Sequence, residues 1–368
     1  MKITIFGDIC PTKDTQDAFN RGDAKAIFGD TLAEIESSDV VIGNLECAVT
    51  DNPKPIKKAG PILYTNTKSM DTLKGFDALS IANNHIRDCD DEGVMTAINT
   101  CAKLGIKTFG AGKNMQEAKK PLLIEKCGQK IGVMSFAEQE FNISTDTRPG
   151  ACYLDLYDDF DRIRKFRKTV DYLIILYHGG IEYFPYASPE LSRKCHKMVD
   201  CGADLIACQH SHCIGTIENY NGSTIVYGQG NSIFGYRKGN DSWNQGLLLQ
   251  VDTDKRKVTY RGIEATTSGL QWLPGEAQVK LADALRKRAN VSKVELMQKW
   301  NSFCAKHAQI HLPLLLGWPR LMIAINRRTQ GLLIKVFYSR KKHNITHNLI
   351  RCESLNEALK NVLQNQDY

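Results

Sequence analysis

The sequence Tyr172-Leu173-Ile174-Ile175-Leu176-Tyr177-His178-Gly179-Gly180 combines an unbroken apolar run with a histidine and two glycines. A run without a polar face is typical of a strand at the centre of a sheet that is covered on both sides. Amphipathic stretches, helical near 23–37 and 93–104, separate further apolar runs at residues 3–6, 40–42, 78–81, 131–136 and 205–207. Strands that alternate with helices indicate βαβ units, so we predict an α/β fold.

Polar side chains follow these apolar runs at the points where the strands should end. Ligands of α/β sheets bind outside the carboxyl ends of the strands, so these side chains are the candidates for function. In chain order they are Asp8, Asn44, Glu46, Asn84, His85, His178, His210 and His212.

Six of these residues form a candidate metal-ligand set of two carboxylates, one amide and three imidazoles: Asp8, Glu46, Asn84, His178, His210 and His212. On an extended segment, residues i and i+2 point to one face, so His210 and His212 could reach one centre. Mixed oxygen and nitrogen ligands suit a divalent transition metal such as Mn, Fe or Zn. One or two ions would fit the set, and two ions roughly 3.5–4 Å apart can activate a water and clamp a phosphoryl group.

His85 and Asp88 are the candidate catalytic pair. The imidazole of His85 could act as a general acid, and Asp88 could hold its tautomer and raise its pKa. Simpler interpretations exist for each motif taken alone. Asn84 could cap a helix, Asp8 could belong to a common Gly-Asp turn, and the flanking Cys208 and Cys213 could make a Cys/His zinc site.

Charge divides the chain in two. The net charge is +7, but residues 1–260 carry a net of −3 and residues 261–368 a net of +10. Residues 296–352 contain no Asp or Glu and ten Lys or Arg, interleaved with apolar residues. We therefore predict a domain at 1–265 and a basic, mainly helical extension at 266–368, in which 276–289 and 292–307 are helices.

The extension could dock on a membrane surface or a protein, or simply pack its apolar side and leave its cations solvated. It contains no recognisable RNA or DNA module, so a nucleic-acid partner is not expected.

The cysteines and the chain start favour a reducing compartment. The twelve cysteines are dispersed and form no CxxC pair, the N-terminal residues look like a strand and not a signal peptide, and no apolar run is long enough to span a bilayer. We expect a cytoplasmic protein, peripheral at most to the inner membrane.

The order of the motifs resembles the bacterial poly-γ-glutamate capsule-synthesis (CapA) family, which belongs to the calcineurin-like metallophosphoesterase superfamily. The resemblance covers about residues 1–250. Its main motifs are Gly7-Asp8, Asn44-Leu45-Glu46, Asn83-Asn84-His85-x-x-Asp88, His178-Gly179-Gly180-x-Glu182-Tyr183, His210-Ser211-His212 and Tyr227-Gly228-x-Gly230-Asn231.

This resemblance implies a four-layer αββα sandwich in which two mixed sheets lie between helical layers. It implies metal-ligand roles for Asp8, Asn84 and the three histidines, a bridging role for Glu46 in place of the superfamily's aspartate, and the acid role for His85. It also implies a hydrolase of capsule or exopolysaccharide biosynthesis that acts on an anionic polymer or a phosphorylated precursor, with a capsule-assembly protein as a further possible partner. The alternative is a non-catalytic assembly component that binds the polymer.

Three departures from the family pattern bear on the site. Cys10 stands where the superfamily usually has a histidine, so one metal position could lack a ligand and the site could hold a single ion. Ser211 stands where proline is usual between the paired histidines. Many members begin with a membrane anchor, which we do not expect here.

Overall fold

A computed structural model describes residues 1–12, 14–267 and 269–365. Contacts divide the chain into two compact units, Met1–Val291 and Ser292–Tyr368. The boundary predicted at residue 265 lies within the strand Lys257–Thr266, and the division of function between the two predicted domains stays a prediction.

The first unit contains all of the strands found in the described residues. In chain order they are β1 (Lys2–Ile9), β2 (Val40–Leu45), β3 (Ala48–Val49), β4 (Tyr64–Thr65), β5 (Ala78–Ser80), β6 (Lys107–Phe109), β7 (Ala111–Gly112), β8 (Leu122–Lys126), β9 (Gln129–Ala137), β10 (Gly150–Ala151), β11 (Tyr172–His178), β12 (Leu205–Gln209), β13 (Ile217–Tyr220), β14 (Ser223–Val226), β15 (Asn231–Ile233), β16 (Gln245–Asp252), β17 (Lys257–Thr266) and β18 (Gly269–Trp272). Every apolar run that the sequence predicted to be a strand lies in or overlaps one of them.

Helices occupy both units. They are α1 (Gln16–Asn20), α2 (Ala24–Phe28), α3 (Leu32–Ser37), α4 (Asp90–Lys103), α5 (Met115–Ala118), α6 (Asp159–Arg167), α7 (Pro189–Asp200), α8 (Asp241–Asn244), α9 (Gly275–Ala289), α10 (Lys293–Leu315), α11 (Arg320–Arg328), α12 (Leu332–Phe337), α13 (Arg340–Arg351) and α14 (Glu353–Asn365). Two 3-10 segments, Gly29–Thr31 and Thr67–Leu73, complete the regular structure.

Two mixed sheets form the first unit. One has the order β18-β17-β16-β1-β2-β5-β6, with β15 also paired to β1, and the other has the order β13-β14-β12-β11-β9-β8. The neighbours β1, β2, β5 and β6 are parallel, as are β9, β11, β12 and β14. The most apolar strand, β11, lies between β12 and β9, as its lack of a polar face predicts.

The sheets pack face to face through alternate residues of their central strands. Ile5 and Ile42 of the first sheet lie in one apolar cluster with Ile174, Leu176 and Leu205 of the second. Because successive side chains of a strand point to opposite faces, the residues between them must be covered from outside.

Helices provide that outer cover. Phe6 and Val41 pack with Phe19, Ile27 and Val94, which come from α1, α2 and α4. Leu173, Ile175 and Tyr177 pack with Ile163, Leu191 and Met198, which come from α6 and α7. The predicted four-layer αββα sandwich is therefore confirmed.

The second unit is built from α10 to α14, as the prediction of a helical extension requires. Its small interior contains Ile323, Ile334 and the amide of Asn326. That amide donates to Gln309 O (3.1 Å) and accepts from Ile334 N (3.0 Å), which ties three helices together. Among the residues that the structure describes, no helix is both long and apolar enough to cross a bilayer.

Candidate metal centre

Asp8 is placed by a bulge in β1. The register of β1 against β2 shifts between Ile5 and Asp8, and Asp8 then lies opposite Asn44. Asn44 Nδ2 donates to Asp8 Oδ1 (2.8 Å), and the amide nitrogen of His210 donates to Asp8 Oδ2 (3.1 Å). Burial, reinforced by the nearby carboxylate of Glu46, raises the pKa of Asp8 to about 7.

Glu46 is the least satisfied charged group of the site. It follows the last residue of β2 and is completely buried. Within the described chain, neither of its carboxylate oxygens accepts a hydrogen bond. Burial raises the pKa of Glu46 well above its usual range. A buried carboxylate without donors is costly unless a cation compensates it, so this residue fits a metal ligand.

His178, the last residue of β11, faces Glu46. His178 Nε2 lies 3.5 Å from Glu46 Oε1 and 3.0 Å from Asn84 Oδ1. Its other nitrogen, Nδ1, lies 3.2 Å from Asn44 Nδ2, which fixes the plane of the ring. Burial lowers the pKa of His178, and a neutral imidazole is the form that binds a metal.

His210 and His212 both reach the site, but not through the extended geometry that the sequence suggested. Both have left-handed backbones, with φ of 83° and 50°, directly after β12. Such conformations cost on the order of 1–3 kcal/mol each in residues other than glycine and cluster at functional sites. The expected alternation of an extended segment is thus wrong, because two left-handed residues on either side of Ser211 turn the side chains inward.

The tautomer of His212 follows from its partner. Asn231 Nδ2 donates to Trp243 O (2.9 Å), so Asn231 Oδ1 is the atom that accepts from His212 Nδ1 (2.9 Å). His212 Nε2 is left with its lone pair free, 3.9 Å from Glu46 Oε1. Burial lowers the pKa of His212 to about 4 and holds the pKa of His210 well below its usual value. In the described chain, His210 Nδ1 is buried and makes no hydrogen bond.

These side chains form two ligand groups that share Glu46. One group is Glu46, His178 and His210, and the other is Asp8, Glu46 and His212, with the ligand atoms of each group within 4.8 Å of one another. Asn84, in the loop after β5, adds its Oδ1 to the first group through its approach to His178. The structure therefore brings all six predicted ligands together, and their role in metal binding stays a prediction.

The cysteines lie outside these groups. Cys10 is buried in the core under the helices, where its thiol pairs with Cys47, and Cys208 Sγ lies 3.6 Å from Cys195 Sγ behind the second sheet. Neither ligand group found in the described residues contains a thiol. The geometry thus favours oxygen and imidazole ligands over a Cys/His zinc site.

His85 is held by a buried ion pair. His85 Nδ1 lies 2.6 Å from Asp88 Oδ2, and Lys58 Nζ lies 2.5 Å from Asp88 Oδ1. The side chains of Lys58 and Asp88 are each 1% exposed, and that of His85 is 6% exposed. Burial lowers the pKa of His85, although Asp88 opposes the shift. With Nδ1 bound to Asp88, Nε2 is the nitrogen left for a ligand.

A cavity of about 590 Å³ opens onto these groups. His85, Asn84, His210 and His212 line its floor, and one wall is the loop 58–63. The opposite wall contains Tyr183, Trp243 and the segment 234–237. The cavity is large enough for a substrate that extends well beyond one reacting group.

Sequence reasoning assigned no specific role to four residues of this site. Asn44 and Asn231 orient ligands, and both were visible in the quoted motifs Asn44-Leu45-Glu46 and Gly230-Asn231. Lys58 lies in a lysine-rich loop with no signal that its side chain is buried. Arg237 lies in a polar loop after β15, and only the folded chain shows that it faces the cavity.

Known proteins are similar in sequence to the part of the chain that contains the site. The family model described as "Bacterial capsule synthesis protein PGA_cap" matches residues 2–236. The "PGA biosynthesis protein CapA" of Bacillus subtilis (strain 168) is 30% identical over 252 residues, which are 66% of this chain and 66% of that protein. The "Capsule biosynthesis protein CapA" of Bacillus anthracis is 27% identical over 256 residues, which are 66% of this chain and 62% of that protein.

A solved structure is similar to this chain at a lower sequence identity. The 5'-nucleotidase precursor from Thermus thermophilus aligns with a TM-score of 0.42 and 14% identity, over 78% of this chain and 58% of that one. The match to the family model, by contrast, extends over more than half of the chain and includes every candidate ligand and both members of the His85–Asp88 pair. The chain therefore belongs to the bacterial capsule synthesis protein PGA_cap family.

Proposed function

We propose that this protein is a metal-dependent hydrolase of the phosphoesterase type, acting in the biosynthesis of a bacterial capsule or exopolysaccharide. The observation that carries the proposal is the buried Glu46 carboxylate. It accepts no hydrogen bond in the described chain and lies between two groups of neutral histidines and oxygen ligands. Without a cation, burial would keep this group in its neutral, protonated form, whereas a bound cation would stabilise the carboxylate.

The ligand set divides between two positions. Glu46, Asn84, His178 and His210 would hold one ion, and Asp8, Glu46 and His212 would hold a second. Divalent ions bound there would supply Lewis acidity, which activates water and neutralises charge on a phosphoryl group. The second group contains one ligand fewer, and the thiol of Cys10 is not among its members.

His85, protonated on both ring nitrogens, would donate its Nε2 proton to the leaving oxygen. Asp88 Oδ2 accepts a hydrogen bond from His85 Nδ1, which fixes the ring and leaves Nε2 for the substrate. Lys58 balances the charge of Asp88, and the backbone nitrogen of Leu63 donates to Asp88 Oδ2 (2.7 Å). The carboxylate that orients the acid is therefore itself held from two sides.

The assignment to capsule or exopolysaccharide synthesis rests on the family and on the names of the relatives. Because the chain spans no more than about two thirds of the length of those relatives, their substrates come to this protein only as proposals. A phosphorylated precursor or an anionic polymer suits the chemistry of the site.

Metal analysis combined with turnover tests the proposal. The purified protein should contain a divalent transition metal and hydrolyse p-nitrophenyl phosphate or bis(p-nitrophenyl) phosphate. The double variant His210→Ala, His212→Ala should lose both metal and activity, because it removes one ligand from each group. A matched control is His196→Ala, whose imidazole pairs with Glu218 outside the ligand groups.

Two results would count against the proposal. Unchanged metal content in the double variant would show that these histidines do not bind the metal and would disprove the proposed metal centre. Full metal content in the wild type without hydrolysis of either ester would instead favour the polymer-binding assembly component.

A further inference from the structure

The cavity has a wall that the proposed chemistry does not use. Its volume of about 590 Å³ falls in the range of roughly 300–1,000 Å³ typical of sites for whole small-molecule ligands. A phosphoryl group at the metal ligands would fill only the floor. The rest of the substrate would then face the walls of the cavity, one of which contains Tyr183, Trp243 and Arg237 next to His212.

Trp243 is the fixed part of this wall. Its ring is only 3% exposed, and its Nε1 donates to Phe234 O (3.2 Å) and Gly235 O (3.1 Å). The centre of the ring lies 4.8 Å from that of His212. The indole is therefore a rigid surface that joins the outer cavity to one ligand group.

Arg237 lies flat on that surface. Its Cζ is 3.1 Å from the centre of the Trp243 ring, a cation–π contact. Its backbone is fixed by a reciprocal pair of hydrogen bonds, Arg237 N to Asn244 Oδ1 (2.9 Å) and Asn244 Nδ2 to Arg237 O (2.8 Å). Stacking uses the face of the guanidinium and leaves its edge for hydrogen bonds, one of which goes to the hydroxyl of Tyr183.

Arg237 forms no close ion pair among the described residues, although the carboxylate of Glu182 lies within electrostatic reach of it. Among the described residues that line the cavity, two are lysine or arginine: Lys58 and Arg237. Lys58 forms its ion pair with Asp88, whereas no carboxylate oxygen of the described chain lies within 4.0 Å of Arg237. An exposed guanidinium that is held in place and forms no close ion pair is suited to an anion from outside.

Tyr183 closes the wall from the other side. It is 44% exposed, and its backbone is left-handed, with φ of 61°, held by its N–H to Ser211 O (2.8 Å). A left-handed backbone is a true outlier for a bulky side chain. Its ring lies 6.5 Å from Trp243, so the two rings and the guanidinium form one corner of the cavity.

We infer that Arg237, stacked on Trp243 beside Tyr183, is a subsite for a carboxylate or phosphate group of the substrate that flanks the reacting bond. This inference rests on the proposed function and adds the chemical class of the substrate: it carries a second anionic group on the His212 side. Three carboxylates also line the cavity, those of Asp14, Glu140 and Glu182, so an anionic group can bind only where Arg237 offsets their charge.

Binding measurements on the purified, metal-containing protein test the subsite. The probes are a glutamate hexapeptide with blocked termini and inorganic tripolyphosphate, measured by calorimetry. Arg237→Gln should weaken binding of at least one probe about tenfold or more, because it removes a charge-assisted, two-pronged contact. Arg237→Lys should recover only part of the loss, since an ammonium lacks the planar fork.

Lys238→Gln is the matched control, because it removes the same charge from the neighbouring exposed residue. The probe that depends on Arg237 identifies the anion as carboxylate or phosphate. Equal losses in Arg237→Gln and Lys238→Gln, wild-type affinity in Arg237→Gln, or no binding of either probe would each overturn the subsite. Because binding requires no turnover, these outcomes are independent of whether the aryl esters are hydrolysed.

Discussion

At the scale of single residues, the chemistry depends on how His85 is held. Replacing His85 by Ala should lower turnover by roughly 10²–10⁴-fold, the usual value of general acid catalysis. The loss should be smaller for p-nitrophenyl esters than for alkyl esters, because a good leaving group needs little protonation. Metal content should stay nearly unchanged, since His85 belongs to neither ligand group. Equal losses for both classes of ester would contradict the acid role.

At the scale of elements, the centre depends on the close approach of β1 to the segment before β15. A Cβ at Gly7 would lie 2.4 Å from Gly230 O, and the Gly7 nitrogen donates to Ser232 Oγ (2.8 Å). We expect Gly7→Ala to destabilise the fold by about 1–3 kcal/mol and to lower metal content, because Asp8 follows directly. Urea denaturation and metal analysis would measure both effects. Gly275→Ala is the control, since a Cβ there meets nothing within 4 Å, and a loss as large in this variant would disprove the steric explanation.

At the scale of the whole molecule, the unit Ser292–Tyr368 presents charge and apolar surface together. Its exposed side chains include Leu321, Leu332, Val336 and Phe337, and residues 296–352 have no acidic residue. We predict that the full chain sediments with anionic vesicles at low salt and less at high salt, because each Lys or Arg near the surface contributes about 1 kcal/mol. Neutralising Arg327, Arg328, Arg340, Lys341 and Lys342 should abolish this binding.

The control for that experiment neutralises five exposed lysines of the first unit: Lys54, Lys74, Lys113, Lys130 and Lys255. It removes the same number of charges but leaves the basic unit intact, so vesicle binding should persist. Absence of binding by the wild-type chain at low salt would leave a protein partner or simple packing of the helices.

The sequence was sufficient to predict which side chains lie at the carboxyl ends of the strands. Parallel strands bring their carboxyl ends to one edge of a sheet, so Asp8, Glu46 and Asn84 could be grouped from the sequence alone. The apolar run of β11 likewise indicated a central strand. What could not be predicted depends on side chains meeting across loops. Lys58 reaches Asp88 from a loop thirty residues earlier in the chain, and its composition gives no sign of burial.

Backbone conformation was the second feature of the site that the sequence did not predict. The inward turn of His210 and His212 depends on two left-handed residues, a conformation that neither histidine favours and that only the surrounding packing enforces. Arg237 was missed because its stacking partner Trp243 belongs to a different turn of chain. In both cases tertiary contacts decide the geometry, and local sequence does not.

The candidate ligands also come from two different sheets, so a bound ion would hold the two sheets together. Asp8, Glu46 and Asn84 lie in or shortly after strands of the first sheet, and His178 and His210 lie in or directly after strands of the second. An ion held between them would link the two sheets across an interface that is otherwise apolar. Ligand binding to the folded state alone stabilises it by about 2.7 kcal/mol at a hundredfold excess over Kd. A chelator should therefore lower the melting temperature of the wild type but not of the His210→Ala, His212→Ala variant. Cells short of metal would then lose not only the activity of this protein but also its resistance to proteolysis.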